Sequence, residues 1–145
     1  MGETRMHQYD ILFQKANADL HLAARARQLK DEKIDNATLL FHLQQAAEKY
    51  LKALLSLNNR HFEKIHDLDE LMKLCTTHHI EIPEYVKSFT DLNPFAVLGR
   101  CDLVSDADID FETKAGLLTQ FGEWVGERLK QPAKGSLPNE NHPGF

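Results

Sequence analysis

The chain has 145 residues, the length of one domain, and a domain of that size buries roughly 70% of its unfolded surface without staples. The 42% hydrophobic and 27% charged fractions are those of a globular protein. A net charge of -5 argues against nonspecific nucleic-acid binding through a broad basic face, though not against a local basic groove.

The first predicted helix runs from Arg5 to Lys30, with Tyr9, Leu12, Phe13, Ala16, Leu20, Ala23 and Leu29 on its apolar side. Asp19 interrupts that ladder between Ala16 and Ala23, and a buried acid needs a partner. It is read as a structural hydrogen bond fixing the first helix against a loop. A short link, Asp31–Asn36, leads to a second helix over Ala37–Asn58, and two long helices so joined pack antiparallel. On the second helix Leu39, Leu40, Leu43, Ala46, Ala47, Tyr50, Leu51, Leu54 and Leu55 recur at helical spacing. Gln44, Gln45, Glu48, Lys49 and Lys52 form the opposite side, read as a wet polar stripe. Glu48 and Lys52 stand four apart in the favourable acid-first order.

Asn58-Asn59-Arg60 ends the second helix. Asp67 caps a third, with Glu70 three residues later as a capping box, and that helix stops at His78-His79. Ile82-Pro83 opens a fourth helix, which Pro94 breaks or kinks near Leu92-Asn93. Asp106-Ala107-Asp108 opens the fifth, with Leu117, Leu118, Phe121, Trp124, Val125 and Leu129 as its apolar positions. Gly122 and Gly126 lie on one side of it, which suits a close helix approach inside the bundle or at a dimer seam. The proline- and glycine-rich residues 131–145 carry no periodicity and read as a disordered tail. The expected fold class is therefore all-α: an antiparallel up-and-down bundle of four main helices plus a short extra helix over residues 1–130.

Cys75 and Cys101 form neither a disulfide framework nor a metal motif and read as small buried hydrophobes. No stretch approaches the ~18 apolar residues of a membrane span, and a cytoplasmic setting is expected. The eight histidines include no His-x-x-x-His or Glu-x-x-His pair on an expected helix, so no metal and no cofactor is expected. From spacing, Gln45, Glu48, Lys49 and Lys52 share a surface. There the lysines can meet phosphate, and the glutamine and glutamate can orient a ribose or base. The alternative is a solvated helix face with one surface ion pair of little energetic weight. His66, one residue before the capping box, is either a packing residue at the helix entry or a ligand-facing imidazole able to exchange protons near neutral pH.

The segments Phe41–Leu55 (FHLQQAAEKYLKALL), His66–Leu71 (HDLDEL) and Lys15–Ala24 (KANADLHLAA) together resemble the HEPN family, the higher eukaryote and prokaryote nucleotide-binding domain. The resemblance spans about Tyr9 to Leu129. It implies a helical module that binds nucleotide or RNA. It also implies a homodimer or pairing with a small nucleotidyltransferase in a toxin–antitoxin or defence-type unit. Asp19 matches the aspartate of the family's alanine-x-x-aspartate-leucine pattern. In ribonuclease members an Arg-x(4–6)-His pair lies on a late helix and faces its symmetry mate. Here only Arg60 and His66 fit that spacing, in the loop after the second helix, while the late arginine, Arg100, has no histidine in range. Phe95 and Arg100 resemble the aromatic–arginine pattern of non-nuclease members, with Cys101 replacing the usual tyrosine. The resemblance thus implies the non-nuclease branch, with no catalytic residue. Gln45, Glu48, Lys49, Lys52, His66 and Arg100 are its ligand-binding candidates. A metal-independent endoribonuclease dimer and a ligand-free structural dimerisation domain are the alternatives.

Overall fold

The computed structural model describes residues 6–62, 64–97 and 109–131. It holds four α-helices, α1 (Gln8–Leu29), α2 (Asn36–Leu57), α3 (Leu68–Thr77) and α4 (Phe111–Leu129). A 3-10 segment, Glu84–Ala96, lies between α3 and α4, and no strand occurs among the described residues. The bundle is all-α, as the periodicity predicts. The tail beyond 131, Cys101 and the expected helix opening at Asp106-Ala107-Asp108 lie outside the described residues.

α2 is the axis of the bundle and packs against every other element, most extensively against α1. Its burial follows from that position. Leu40, Leu43, Ala46, Ala47, Leu51 and Leu55 have no exposed surface. The turn into α2 is set locally, because Asp35 Oδ1 accepts from Thr38 N at 2.9 Å and from Thr38 Oγ1 at 2.7 Å. These bonds favour the ionised carboxylate and hold the Asp35 pKa below its ordinary value.

The far end of α2 closes with Asn59 in the left-handed region at φ 56°. Asn59 N donates to Ser56 O at 2.9 Å and Arg60 N donates to Leu55 O at 2.8 Å, the Schellman arrangement. α3 ends in the same way, with His79 at φ 61° and Ile80 N on Cys75 O at 2.8 Å. Its start is doubly capped. Asp67 Oδ1 accepts from Glu70 N at 3.1 Å, and Asn93 Oδ1 accepts from Leu68 N at 2.8 Å.

Two expectations are corrected. The fourth helix is a 3-10 segment, and it runs through Pro94 to Ala96 rather than breaking near Leu92-Asn93. The cause is visible in its partners. Lys114 Nζ takes the Ser88 carbonyl at 2.8 Å and Asp91 Oδ2 at 3.0 Å, while Asn93 is committed to α3. A carbonyl and two side chains so engaged anchor the segment outward, and 3-10 geometry demands no long α ladder. α4 begins at Phe111, capped by Asp110, whose Oδ2 accepts from Thr113 Oγ1 at 2.8 Å.

The glycines of α4 are explained inside the protomer. A Cβ at Gly122 would sit 2.5 Å from Tyr50 Oη and 2.8 Å from Tyr50 Cζ. One at Gly126 would sit 3.0 Å from the Phe13 ring. Tyr50 is buried, donates its hydroxyl to Asn17 Oδ1 at 2.5 Å, and meets Phe121 edge-on at 5.8 Å between centroids. Its ring cannot retreat without losing both contacts. Gly116, by contrast, faces open space.

Opposite signs follow for one substitution. Gly116→Ala gains helix propensity and raises stability by about 0.5–1 kcal/mol. Gly122→Ala overpacks the Tyr50 contact and lowers stability by about 1–3 kcal/mol. Urea unfolding followed by circular dichroism separates the two, and a stabilised Gly122→Ala would contradict the packing described.

The cap gives a pH-dependent effect. Asp35→Ala lowers stability by about 1 kcal/mol at pH 7. The folded pKa is depressed, so the contribution is complete above the unfolded carboxylate range. It is lost as pH falls through the lower folded value. The wild-type and variant midpoints therefore converge in acid, which thermal melts from pH 7 downward would follow.

Candidate functional site

The stripe expected to be wet is for the most part covered. Among its members Gln44, Glu48 and Lys52 are buried, Glu48 with only 4% of its surface exposed. The correction has a physical cause: the chain leaving α2 turns back over the stripe on its way to α3. A carboxylate so placed needs compensation, and Glu48 receives it from three directions. Its Oε2 lies 2.8 Å from Lys52 Nζ and 2.8 Å from His66 Nδ1. Its Oε1 accepts from Gln44 Nε2 at 3.2 Å. Gln44 in turn takes a hydrogen bond from Gln45 Nε2 at 2.8 Å. Lys52 is roofed by the Phe62 ring, whose centroid is 5.5 Å from Nζ.

A second cluster lies on the adjoining face of α2. Asp19 Oδ2 accepts from Lys49 Nζ at 2.6 Å, and Asp19 Oδ1 lies 2.9 Å from His42 Nδ1. Asp19 therefore finds the partners its place requires, and it pins α1 to α2 rather than to a loop. The two clusters share a design, in which a carboxylate joins a lysine of α2 to the Nδ1 of a histidine. A carboxylate only accepts, so Nδ1 carries the proton in each pair, and Nε2 is the atom left to turn outward. His42 is largely covered, at 23% side-chain exposure, but His66 is 65% exposed.

The Arg60–His66 pair is not assembled into one cavity. Arg60 borders an open groove of about 780 Å³ with His7, Tyr9, Asn59 and His61, and His66 is not among its lining residues. None of the four described grooves is lined by Gln45, Glu48, Lys49, Lys52 or His66. Phe95 is a core residue, and Arg100 lies outside the described residues. No group of three metal-ligating side chains occurs among the described residues. No described helix is long and apolar enough to cross a membrane.

The family model for the HEPN domain matches residues 9–127. The chain belongs to the HEPN family. No curated protein and no solved structure matches it. The matched span takes in α1, α2, α3, the 3-10 segment and nearly all of α4, so the HEPN domain and the bundle are one unit. The segments that carry the family pattern are those that supply Asp19, Gln44, Glu48, Lys52 and His66 to the two clusters.

Sequence reasoning missed Gln44, His42 and Asn93 as members of polar networks. Each has a signal in retrospect. Gln44 and Glu48 are four apart on the same side of a helix. His42 and Lys49 are seven apart and so face one acid. Asn93 precedes a proline, where the backbone cannot continue an α-helix. Cys75 is the buried hydrophobe expected of it, and burial pushes its thiol up to about 12.

The Glu48 cluster allows a test of its electrostatics. Glu48→Ala leaves Lys52 buried without a counter-charge and costs about 3–5 kcal/mol. The double variant Glu48→Leu/Lys52→Met removes both charges and recovers most of that loss. Denaturant midpoints of the single and double variants check this, and a double variant no more stable than Glu48→Ala would refute the ion-pair account.

Proposed function

We propose that this HEPN domain is a nonenzymatic module that binds nucleotide or RNA phosphate. We further propose that it acts as a homodimer or as the partner subunit of a small nucleotidyltransferase in a toxin–antitoxin or defence-type unit. One observation carries the reading: Arg60 and His66, the one pair of nuclease spacing, point to different surroundings. His66 is tied back to Glu48, while Arg60 borders the groove with His7 and His61. Metal-free RNA cleavage needs phosphate positioning and proton transfer at one phosphodiester, within hydrogen-bond reach of both groups. Within one protomer these two residues do not offer that. They do offer cationic and imidazole groups suited to holding an anion.

The glycine pair no longer argues for a dimer, since Gly122 and Gly126 are occupied by Tyr50 and Phe13 of the same chain. An exposed apolar strip of α1 supports association instead. Ile11, Leu22 and Leu29 are exposed and recur at spacings that place them on one helix face.

The endoribonuclease dimer has one observation in its favour. A histidine whose Nδ1 is held by a carboxylate while the ring stays exposed is arranged as acid–base histidines are. A single experiment separates the readings. The full chain is titrated calorimetrically with ATP and with a short single-stranded RNA, and the RNA is then examined for cleavage in EDTA. The binding module gives saturable heat with at least one ligand below about 1 mM and leaves the RNA intact. Cleavage lost in both Arg60→Ala and His66→Ala would establish the nuclease. Absence of binding to either ligand would leave the structural dimerisation reading.

A further inference from the structure

We infer that the groove between the start of α1 and the end of α2 is a nucleoside-phosphate site, with Arg60 and His61 taking the phosphate and His7 the base. This names the location and chemistry of the binding proposed above and rests on that reading.

The groove stands out by charge. The chain carries a net charge of -5, yet the groove's described lining residues include Arg60, His61 and His7 and no carboxylate. Its volume, about 780 Å³, falls in the range of small-molecule sites. The nearest acid of α1, Asp10, is turned to its own helix start, where Oδ2 lies 3.4 Å from His7 N.

The backbone beneath Arg60 is fixed. Asn59 occupies the left-handed region, and Arg60 N is bound to Leu55 O at 2.8 Å. The carbonyls of Leu54, Leu55 and Ser56 all accept from Asn58, Asn59 or Arg60 within the same turn. The negative end of α2 is thereby closed by its own donors rather than presented to an incoming anion. Ser56 Oγ donates to Gln8 Oε1 at 3.1 Å and ties the two walls together. Arg60 thus leaves the turn from a fixed backbone, and its guanidinium can give two parallel hydrogen bonds to phosphate.

The other wall is aromatic. His7 stacks on Tyr9 with 4.7 Å between centroids and 11° between planes. Tyr9 is half-buried and His7 exposed, so a planar base can extend the stack from the His7 side. Asn59 supplies amide hydrogen bonds beside it. Basic groups with a stacking platform are the combination single nucleotides and single-stranded RNA require, and both sources present the same nucleoside phosphate.

The test uses the full chain and calorimetry with AMP, ATP, adenosine and a single-stranded RNA octamer. Arg60→Gln/His61→Asn weakens AMP, ATP or RNA binding at least tenfold, with an unchanged melting curve because both side chains are exposed. His7→Ala weakens it severalfold. Adenosine, lacking phosphate, binds wild type at least tenfold more weakly than AMP. The control Lys15→Gln/Arg25→Gln, two exposed cations of α1 outside the groove, binds as wild type does. Saturation by AMP and ATP alone assigns the site to free nucleotide; saturation by RNA alone assigns it to RNA. If wild type binds and Arg60→Gln/His61→Asn binds equally well, the site is elsewhere and the inference falls, while the binding reading stands. If wild type binds none of the four, both fall together.

Discussion

A carboxylate inside a helical bundle has to be neutralised, and the neutralisation of Glu48 fixes much of this molecule. The charge on α2 draws Lys52 from the next turn, Gln44 from the turn before, and His66 from the far end of the connecting chain. His66 precedes Asp67, the cap of α3. The ion cluster inside α2 therefore also determines where α3 begins. Buried ion pairs are poor sources of net stability compared with apolar packing of the same volume. Their effect here is positional, since the contact with Glu48 holds the chain after α2 at His66.

Asp19 repeats the device against α1. It holds His42 and Lys49 in one grip, and the longest helix pair in the protein is registered by a polar contact rather than by packing alone. α1 needs such registration. Its buried residues are the small Ala16 and Ala23, whose shape permits sliding more readily than interlocking large side chains would. Lys114 serves the 3-10 segment in the same manner through Ser88 and Asp91. Three polar grips thus tie α1 and the entry of α3 to α2, and the 3-10 segment to α4.

The helices were legible in the sequence because period and capping agree. The apolar ladder of α2, the Asp67 cap on Glu70 N and the Asn58-Asn59-Arg60 stop each describe a contact between near neighbours, and such contacts survive in linear text. The burial of Glu48 and Lys52 was not legible. Amphipathic reasoning gives a helix one wet face, and it fails for a helix enclosed on all sides, where polar residues satisfy one another instead of water. The 3-10 geometry of Glu84–Ala96 was hidden for a related reason: the segment is held by Lys114, which lies in another helix. Of the ligand candidates, Lys49 and Lys52 are committed to carboxylates and His66 keeps an exposed ring; Arg60, expected only as part of the nuclease-spaced pair, shares a groove with His7 and His61 that no local pattern announces.

The meeting of Gly122 with Tyr50 has a consequence for how this sequence can change over time. The space above the tyrosine hydroxyl is filled by the backbone of α4, and the hydroxyl itself is held by Asn17. A side chain at position 122 is admissible only if position 50 first gives up its phenol, and that loss deprives Asn17 of its donor. Positions 17, 50 and 122, far apart in the chain, therefore form one inherited unit. Drift at position 50 leaves a void, drift at 122 a clash, and drift at 17 takes the acceptor from the tyrosine hydroxyl. Among relatives that keep a tyrosine at position 50, glycine at the place of 122 is the residue that drift should spare.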